Sequence, residues 1–483
     1  MPWIGVAFLV LGFVFLVHAF GLIERSKDVV AISRDSLAVV RDPNLDDEAK
    51  EVTLQRNAIK LLRLSLILVG GGAAAVFLPF GVVWLCSVLE IVSLKSVLAL
   101  AFSPTVLIVA GVLAILMLFA GANRSGQDAG YSFMDRFLHR MAFRTVPAQI
   151  IMADMEDAVF ARQLAGCKAE RPVFVTALPR AGTTLLLECC SSLPDLAAHC
   201  YRDMPYVLIP CLWNRFASAF QRSAEKRPRF HGDGILIDLD SPEALEEVLW
   251  KAFWRRHYSS DRIEPWQDEE HPEFEEFFRN HMRKIISLRR GNKEPTARYV
   301  SKNNLNIART RWLRQHFPHA TIIVPFREPL QHAASLLKQH RNFLQLHQED
   351  SFACEYMRAI GHFDFGRNLR PVDFDNWLDS RMSQDVEELA FWLEYWVAGY
   401  RHLVESEADL LHFLHFEALC EDPERGLRAI ADAIATGHPE MLLLAATTIR
   451  RVEPHEVNVD KVPSSLLHEA NDLYAALRQL ALT

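Results

Sequence analysis

The sequence predicts an α/β domain, a parallel sheet flanked by helices, preceded by three transmembrane helices. Three observations lead there. Arg171–Cys190 reads RPVFVTALPRAGTTLLLECC, a short apolar run, a Gly-containing turn and then a helical pattern. Thr321–His340, TIIVPFREPLQHAASLLKQH, repeats that order. Long uncharged stretches are confined to the first 125 of the 483 residues.

Val173–Leu178 is rich in β-branched residues and lies between Pro172 and Pro179, which marks a buried strand. Leu185–Ser192 resumes as a helix. Strand, tight turn and helix form half of a βα unit, and such units build parallel sheets covered by helices. Thr321–Pro325 is the second strand of this kind, and His412–Phe416 is a third.

The apolar runs are Pro2–Ile23, about Leu64–Leu89 and Ser96–Asn123, each long enough for a hydrocarbon core of about 30 Å. Eight Lys and Arg lie between Arg25 and Arg63, against Lys95 alone in the second connector. Basic residues stay on the cytoplasmic side, so the first loop and, after three crossings, the C-terminal domain face the cytoplasm. The expected organisation is a transmembrane helix at 1–23, a cytoplasmic helical connector at 24–63, two transmembrane helices at 64–123, a helical linker at 124–170 and the catalytic domain at 171–483.

A net charge of −8 opposes nucleic-acid binding driven by bulk charge. Eight cysteines without CxxC pairs suit reduced thiols, and nineteen histidines form no HExxH motif, so no metal is expected.

A strand that ends in a turn feeding a helix N-terminus is a ready phosphate or sulfate site. Here Arg180 supplies a permanent positive fork, Gly182 allows close backbone approach, and Thr183 and Thr184 offer hydroxyls. An ATP loop of the form GxxxxGK[ST] needs a Gly five positions before Gly182 and a Lys after it, where this chain has Ala177 and Thr183.

These motifs resemble the sulfotransferases that use 3′-phosphoadenosine 5′-phosphosulfate, whose first signature is a strand followed by Pro-(Lys/Arg)-x-Gly-Thr-Thr. The resemblance implies a P-loop-like turn in which Arg180, Ala181, Gly182, Thr183 and Thr184 cradle the 5′-phosphosulfate. Arg327, at the end of its strand, and Ser335, eight positions on, match the family's 3′-phosphate pair, with Glu328 where Asp, Asn or Gly is usual. YVSKNNLN is similar to the family's Lys-(Asn/Asp)-Pro segment, with Asn304 replacing Pro, and implies that Lys302 stabilises charge on the transferring group. HFEALCEDPERG matches a further family segment in which Glu417 and Asp422 order the fold. The family's Gly-rich C-terminal loop is absent from the sequence, which leaves Arg450 and Arg451 as candidates to close over the adenosine.

Sulfuryl transfer needs a base for the acceptor's proton. Relatives present it after the first helix, where this chain offers Asp203 and then His199, with His231, Asp233, Glu246 and Glu247 in reserve. The expected activity is sulfuryl transfer to a carbohydrate, glycolipid or other membrane-associated hydroxyl, without metal and without nucleic acid. An ATP-dependent kinase of related fold and a catalytically silent nucleotide-binding scaffold on the bilayer are the alternatives.

Overall fold

The structure is a computed structural model. It describes residues 2–22, 47–89, 93–101, 133–217, 227–228, 236–291, 296–381 and 385–482, with residue 294 and scattered positions from 25 to 39. The chain forms two compact units, Met1–Met134 and Asp135–Thr483.

In the first unit, α1 (Pro2–Ala19) and α2 (Asp47–Val88) are followed by a short helix, Leu94–Ala101. Val6, Val83 and Val97 form their shared core. Among the described residues one helix, Thr53–Val88, is long and apolar enough to cross a membrane. Three transmembrane helices were expected, and the described residues carry this single candidate. The second expected span is not a separate element either. It continues a helix that starts at Asp47, because no Gly or Pro interrupts the sequence between Asp47 and Val69. The third run is helical to Ala101, and the rest of it lies outside the described residues.

The second unit opens with α3 (Phe133–Arg144) and α4 (Val146–Val159). The expected linker is part of this unit: Ala153 lies in its main core, and Lys284 pairs with the buried Glu156 at 3.0 Å. Five parallel strands follow: β1 (Val173–Val175), β2 (Leu196–Ala197), β3 (Arg298–Lys302), β4 (Thr321–Phe326) and β5 (His412–His415). Their order is β2-β3-β1-β4-β5. The helices between and after them are α5 (Thr183–Ser191), α6 (Pro272–Arg289), α7 (Pro329–Glu349), α8 (Ser351–Ile360), α9 (Leu389–Glu407), α10 (Pro423–Ile434) and α11 (Ser464–Leu480).

Register fixes what meets at the sheet's carboxyl edge. Val175 is opposite Lys302 on one side and Ile323 on the other, so the turn after β1 emerges between the ends of β3 and β4. That is the crevice where parallel α/β sheets bind ligands. Phe174 on one face and Val173 and Val175 on the other are fully buried, each face packed into its own apolar cluster.

The aromatic residues serve the core. Trp250, Trp254, Trp312, Trp392 and Trp396 are almost completely buried, each side chain stabilising the fold by roughly 2–3 kcal/mol. Arg309, also fully buried, stacks between Trp250 at 4.2 Å and Trp266 at 4.1 Å and pairs with Glu247. The reserve carboxylates Glu246 and Glu247 are therefore interior and not placed to act as a base: Glu246 accepts from Asn306, Trp250 and Tyr299. The helix here starts at Glu247, after Pro242 has bridged to Cys200.

Candidate functional site

The turn after β1 is anchored by hydrogen bonds to the neighbouring elements. Thr176 N–H donates to Ile323 at 3.0 Å, and its hydroxyl donates to the Asn304 carbonyl at 3.1 Å. His332 Nε2 meets the Pro179 carbonyl at 2.8 Å. That contact requires a proton on Nε2, and burial, reinforced by the Arg327 charge, lowers the imidazole to about 3, so the ring is neutral at physiological pH.

Arg180 and Gly182 both take positive φ, 71° and 96°. For the arginine this is strain of order 1 kcal/mol, and such strain is retained where the surroundings enforce it. Gly182 has no alternative, since a Cβ there would lie 2.4 Å from the Phe416 ring. Left-handed residues thus flank Ala181, and backbone that alternates in hand is what lets successive N–H groups converge on an anion. Gly182 is also the N-cap of α5 and makes no side-chain cap, which leaves the helix's first N–H groups facing the turn.

Arg327 follows β4 directly. Its Nη1 donates to the Arg180 carbonyl at 3.1 Å, and Arg180 Nε donates to Ser335 Oγ at 3.4 Å. Four residues of the two expected phosphate-binding sets, Arg180, Gly182, Arg327 and Ser335, thus converge at the ends of β1 and β4. Arg327 is buried over the Phe416 ring, and its Nε has no hydrogen-bond acceptor among the described residues, with Glu417 at 3.6 Å. Glu417 is therefore within ion-pair range of this buried guanidinium but beyond hydrogen-bond distance, and Nε still lacks a close acceptor among the described residues. Glu417 also accepts from Glu328 N at 3.2 Å; burial raises its pKa, but His415, main-chain donors and Arg327 bring it below the ordinary range. Asp422 caps α10 by accepting from Arg425 N at 3.1 Å.

Lys302 ends β3 beside the turn and is partly exposed. Asn304, in place of the usual Pro, accepts from the Thr183 hydroxyl at 3.3 Å and donates to Asp364 at 3.1 Å. Asp364 is thus two hydrogen bonds from the turn and partly exposed, with His362 Nε2 at 3.7 Å. Sequence reasoning missed it, because 60 residues separate it from Asn304; the one local signal is its turn between Gly361 and Gly366.

Asp203 and His199 are placed elsewhere. Both are buried, and Asp203 accepts from Arg289, Cys200 N at 3.0 Å, Asn214 at 3.0 Å and His199 Nδ1 at 3.2 Å. Burial opposes its charge, but His199 and Arg289 outweigh that and hold the carboxyl far below its ordinary value. His199 Nε2 faces His281 Nε2 at 3.1 Å. This is the geometry of a structural ion pair, with no oxygen left for an acceptor's proton, which departs from the expected base. His231 and Asp233 lie outside the described residues.

Arg450 and Arg451 are exposed. Their segment returns to α7 through a reciprocal pair, His455 N to Gln331 Oε1 at 2.5 Å and Gln331 Nε2 to the His455 carbonyl at 3.1 Å. Partial burial and the charges of Lys338, Arg327 and Arg180 lower His455, so this stretch passes close to the arginines. All eight cysteines are free, and burial pushes Cys189 up to about 12, far from a reactive thiolate. Among the described residues no three His, Cys, Asp or Glu are grouped to hold a metal.

Similar solved structures include sulfotransferase STF9 from Mycobacterium avium, 14% identical, covering 67% of this chain and 80% of that one with a TM-score of 0.39. Sulfotransferase STF1 from Mycobacterium tuberculosis H37Rv is 13% identical, covering 72% and 88%, with a TM-score of 0.38. No curated protein matches. The model of the sulfotransferase family matches residues 172–439, more than half of the sequence. The chain belongs to the sulfotransferase family.

Proposed function

We propose that the protein is a membrane-associated sulfotransferase that takes the sulfuryl group from 3′-phosphoadenosine 5′-phosphosulfate and passes it to a hydroxyl of a carbohydrate, glycolipid or other membrane-associated acceptor. The observation that carries this is the buried Arg327, whose Nε lacks a hydrogen-bond acceptor among the described residues, tied to Arg180, which in turn donates to Ser335 from a strained turn. In this reading Arg180, Ala181, Gly182, Thr183 and Thr184 hold the phosphosulfate, and Arg327 and Ser335 hold the 3′-phosphate. The nucleotide supplies an activated sulfur–oxygen bond.

The acceptor oxygen bonds to sulfur as the bond to the bridging phosphate oxygen breaks. Charge builds on that bridging oxygen, and Arg180 and Lys302 are the cations we assign to it. The acceptor's proton needs a carboxylate that solvent and substrate can reach. Asp364 fits that role better than Asp203, because it is partly exposed and linked through Asn304 to Thr183. The apolar helix Thr53–Val88 supports a membrane location, and the Lys and Arg between Arg25 and Arg63 support a catalytic unit on the cytoplasmic face.

The test is transfer of labelled sulfate from the nucleotide into a membrane extract by the full chain. Transfer that disappears in Lys302→Ala while nucleotide binding persists supports catalysis. Nucleotide binding without transfer by the wild type marks a silent scaffold, and magnesium-dependent ATP turnover marks a kinase.

A further inference from the structure

A second basic site lies outside the residues assigned above. A cavity of about 630 Å³ is lined by the α3–α4 junction, the helix Glu247–Phe253 and the end of α8. Its wall carries five cations, Arg144, Lys251, Arg255, Arg358 and Arg370, and one carboxylate, Glu355. Glu355 is already committed, since Arg140 donates to it from Nε at 3.0 Å and from Nη2 at 2.7 Å. Glu247, behind the wall, is committed too: it accepts from Arg309 at 2.9 Å, from Asn303 at 2.7 Å and from the Tyr258 hydroxyl. Asp261, the carboxylate that acts on Arg370, also pairs with Arg262 at 3.4 Å.

The like charges act on one another. Burial and then Arg358 lower Arg370, while burial lowers Lys251 to about 8, with Arg370 and Arg358 adding to the shift against Glu247. Phe363 forms an aromatic floor, with the Arg370 guanidinium 4.6 Å and the Lys251 ammonium 5.2 Å from its ring centre. Gathered like charges destabilise a fold, and a concave basic site relieves that repulsion by taking an anion. Guanidinium forks match tetrahedral oxyanions, and the volume is in the range of small-molecule sites.

Two hydrogen bonds link the cavity to the reacting edge. Tyr258 lines it and donates to Glu247, which accepts from Asn303, the residue after Lys302. Arg144 follows Asn123, the end of the last apolar run, by only 21 residues of sequence.

We propose that this cavity binds the phosphate-bearing headgroup of the acceptor, a phosphomonoester or phosphodiester. The assignment of that ligand as the acceptor rests on the sulfotransferase reading, whereas binding of the phosphate group does not.

The test titrates the full chain in neutral detergent with dihexanoyl phosphatidic acid and, separately, with sn-glycerol 3-phosphate, following thermal unfolding. The wild type shows a saturable upward shift, and Arg358→Gln with Arg370→Gln weakens it about tenfold or more while 3′-phosphoadenosine 5′-phosphate binding is unchanged. Preference for the phosphatidic acid identifies a lipid-borne phosphate, and equal affinity identifies a soluble one; both support the site. No shift with either probe, or an equal shift in the double variant, overturns it. If the double variant also loses the nucleotide, Arg144→Gln with Arg255→Gln decides: weaker probe binding there supports the cavity, and unchanged binding overturns it. Phosphate binding by a wild type that ignores the nucleotide leaves the cavity standing and removes the sulfotransferase reading instead.

Discussion

Arg327 donates from Nη1 to the main-chain carbonyl of Arg180 at 3.1 Å, so the residue that ends one strand holds the backbone of the turn that ends its neighbour. The two proposed phosphate sites are therefore one mechanical unit. Moving Arg327 moves the carbonyl that keeps Arg180 at φ 71°, and with it the nest around Ala181.

Gly182→Ala combines a positive φ with a Cβ 2.4 Å from Phe416. We expect a loss of about 2–4 kcal/mol, the sum of a left-handed penalty and overpacking against a buried ring. Urea unfolding of the full chain measures it, and an unchanged midpoint contradicts the tight packing of turn on ring.

The two carboxylates considered as the base, Asp203 and Asp364, separate by stability. Asp203→Asn breaks a buried pair with Arg289, with an expected cost of about 3–5 kcal/mol. Asp364→Asn keeps the hydrogen bond from Asn304 and should leave unfolding within about 1 kcal/mol of wild type while kcat falls about 100-fold or more. Full activity in Asp364→Asn rules out Asp364 as the base.

His332 is neutral in the fold, with its pKa lowered to about 3 from an ordinary value near 6.5. The unfolded chain therefore takes up a proton that the folded chain refuses, so its contribution is complete above pH 6.5 and is lost as pH falls toward 3. The slope is at most about 1.4 kcal/mol per pH unit for this residue. His340 and His347, on the same helix and both lowered to about 4, chiefly by burial, act in the same direction. Urea midpoints at pH 7.5, 6.0 and 5.0 should fall in that order, and His332→Asn should flatten the trend.

The sheet's centre was legible because β1 and β4 are short β-branched runs, each followed by a turn and a helical pattern, and length and β-branching rather than periodicity separate such strands from a buried helix. β3 was not, since RYVSK carries a cation at each end, and β2 is only two residues long. The arginines and the glycine of the site were legible from spacing along the chain. Asp364, the commitment of Glu247 to Arg309, and the burial of Asp203 were not, because each depends on a partner at least 60 residues away in sequence. Of the three apolar runs, the described residues contain one helix long and apolar enough to cross a membrane, and most of the third run lies outside them.

The central claim is that Arg327 reads a 3′-phosphate beside the phosphosulfate turn. Calorimetric titration of the full chain with 3′-phosphoadenosine 5′-phosphate and with adenosine 5′-monophosphate, for wild type and Arg327→Ala, tests it most directly. We expect the wild type to prefer the 3′-phosphorylated nucleotide by about 100-fold and Arg327→Ala to remove most of that preference. Equal affinity of the wild type for the two nucleotides, or an undiminished preference in Arg327→Ala, contradicts it.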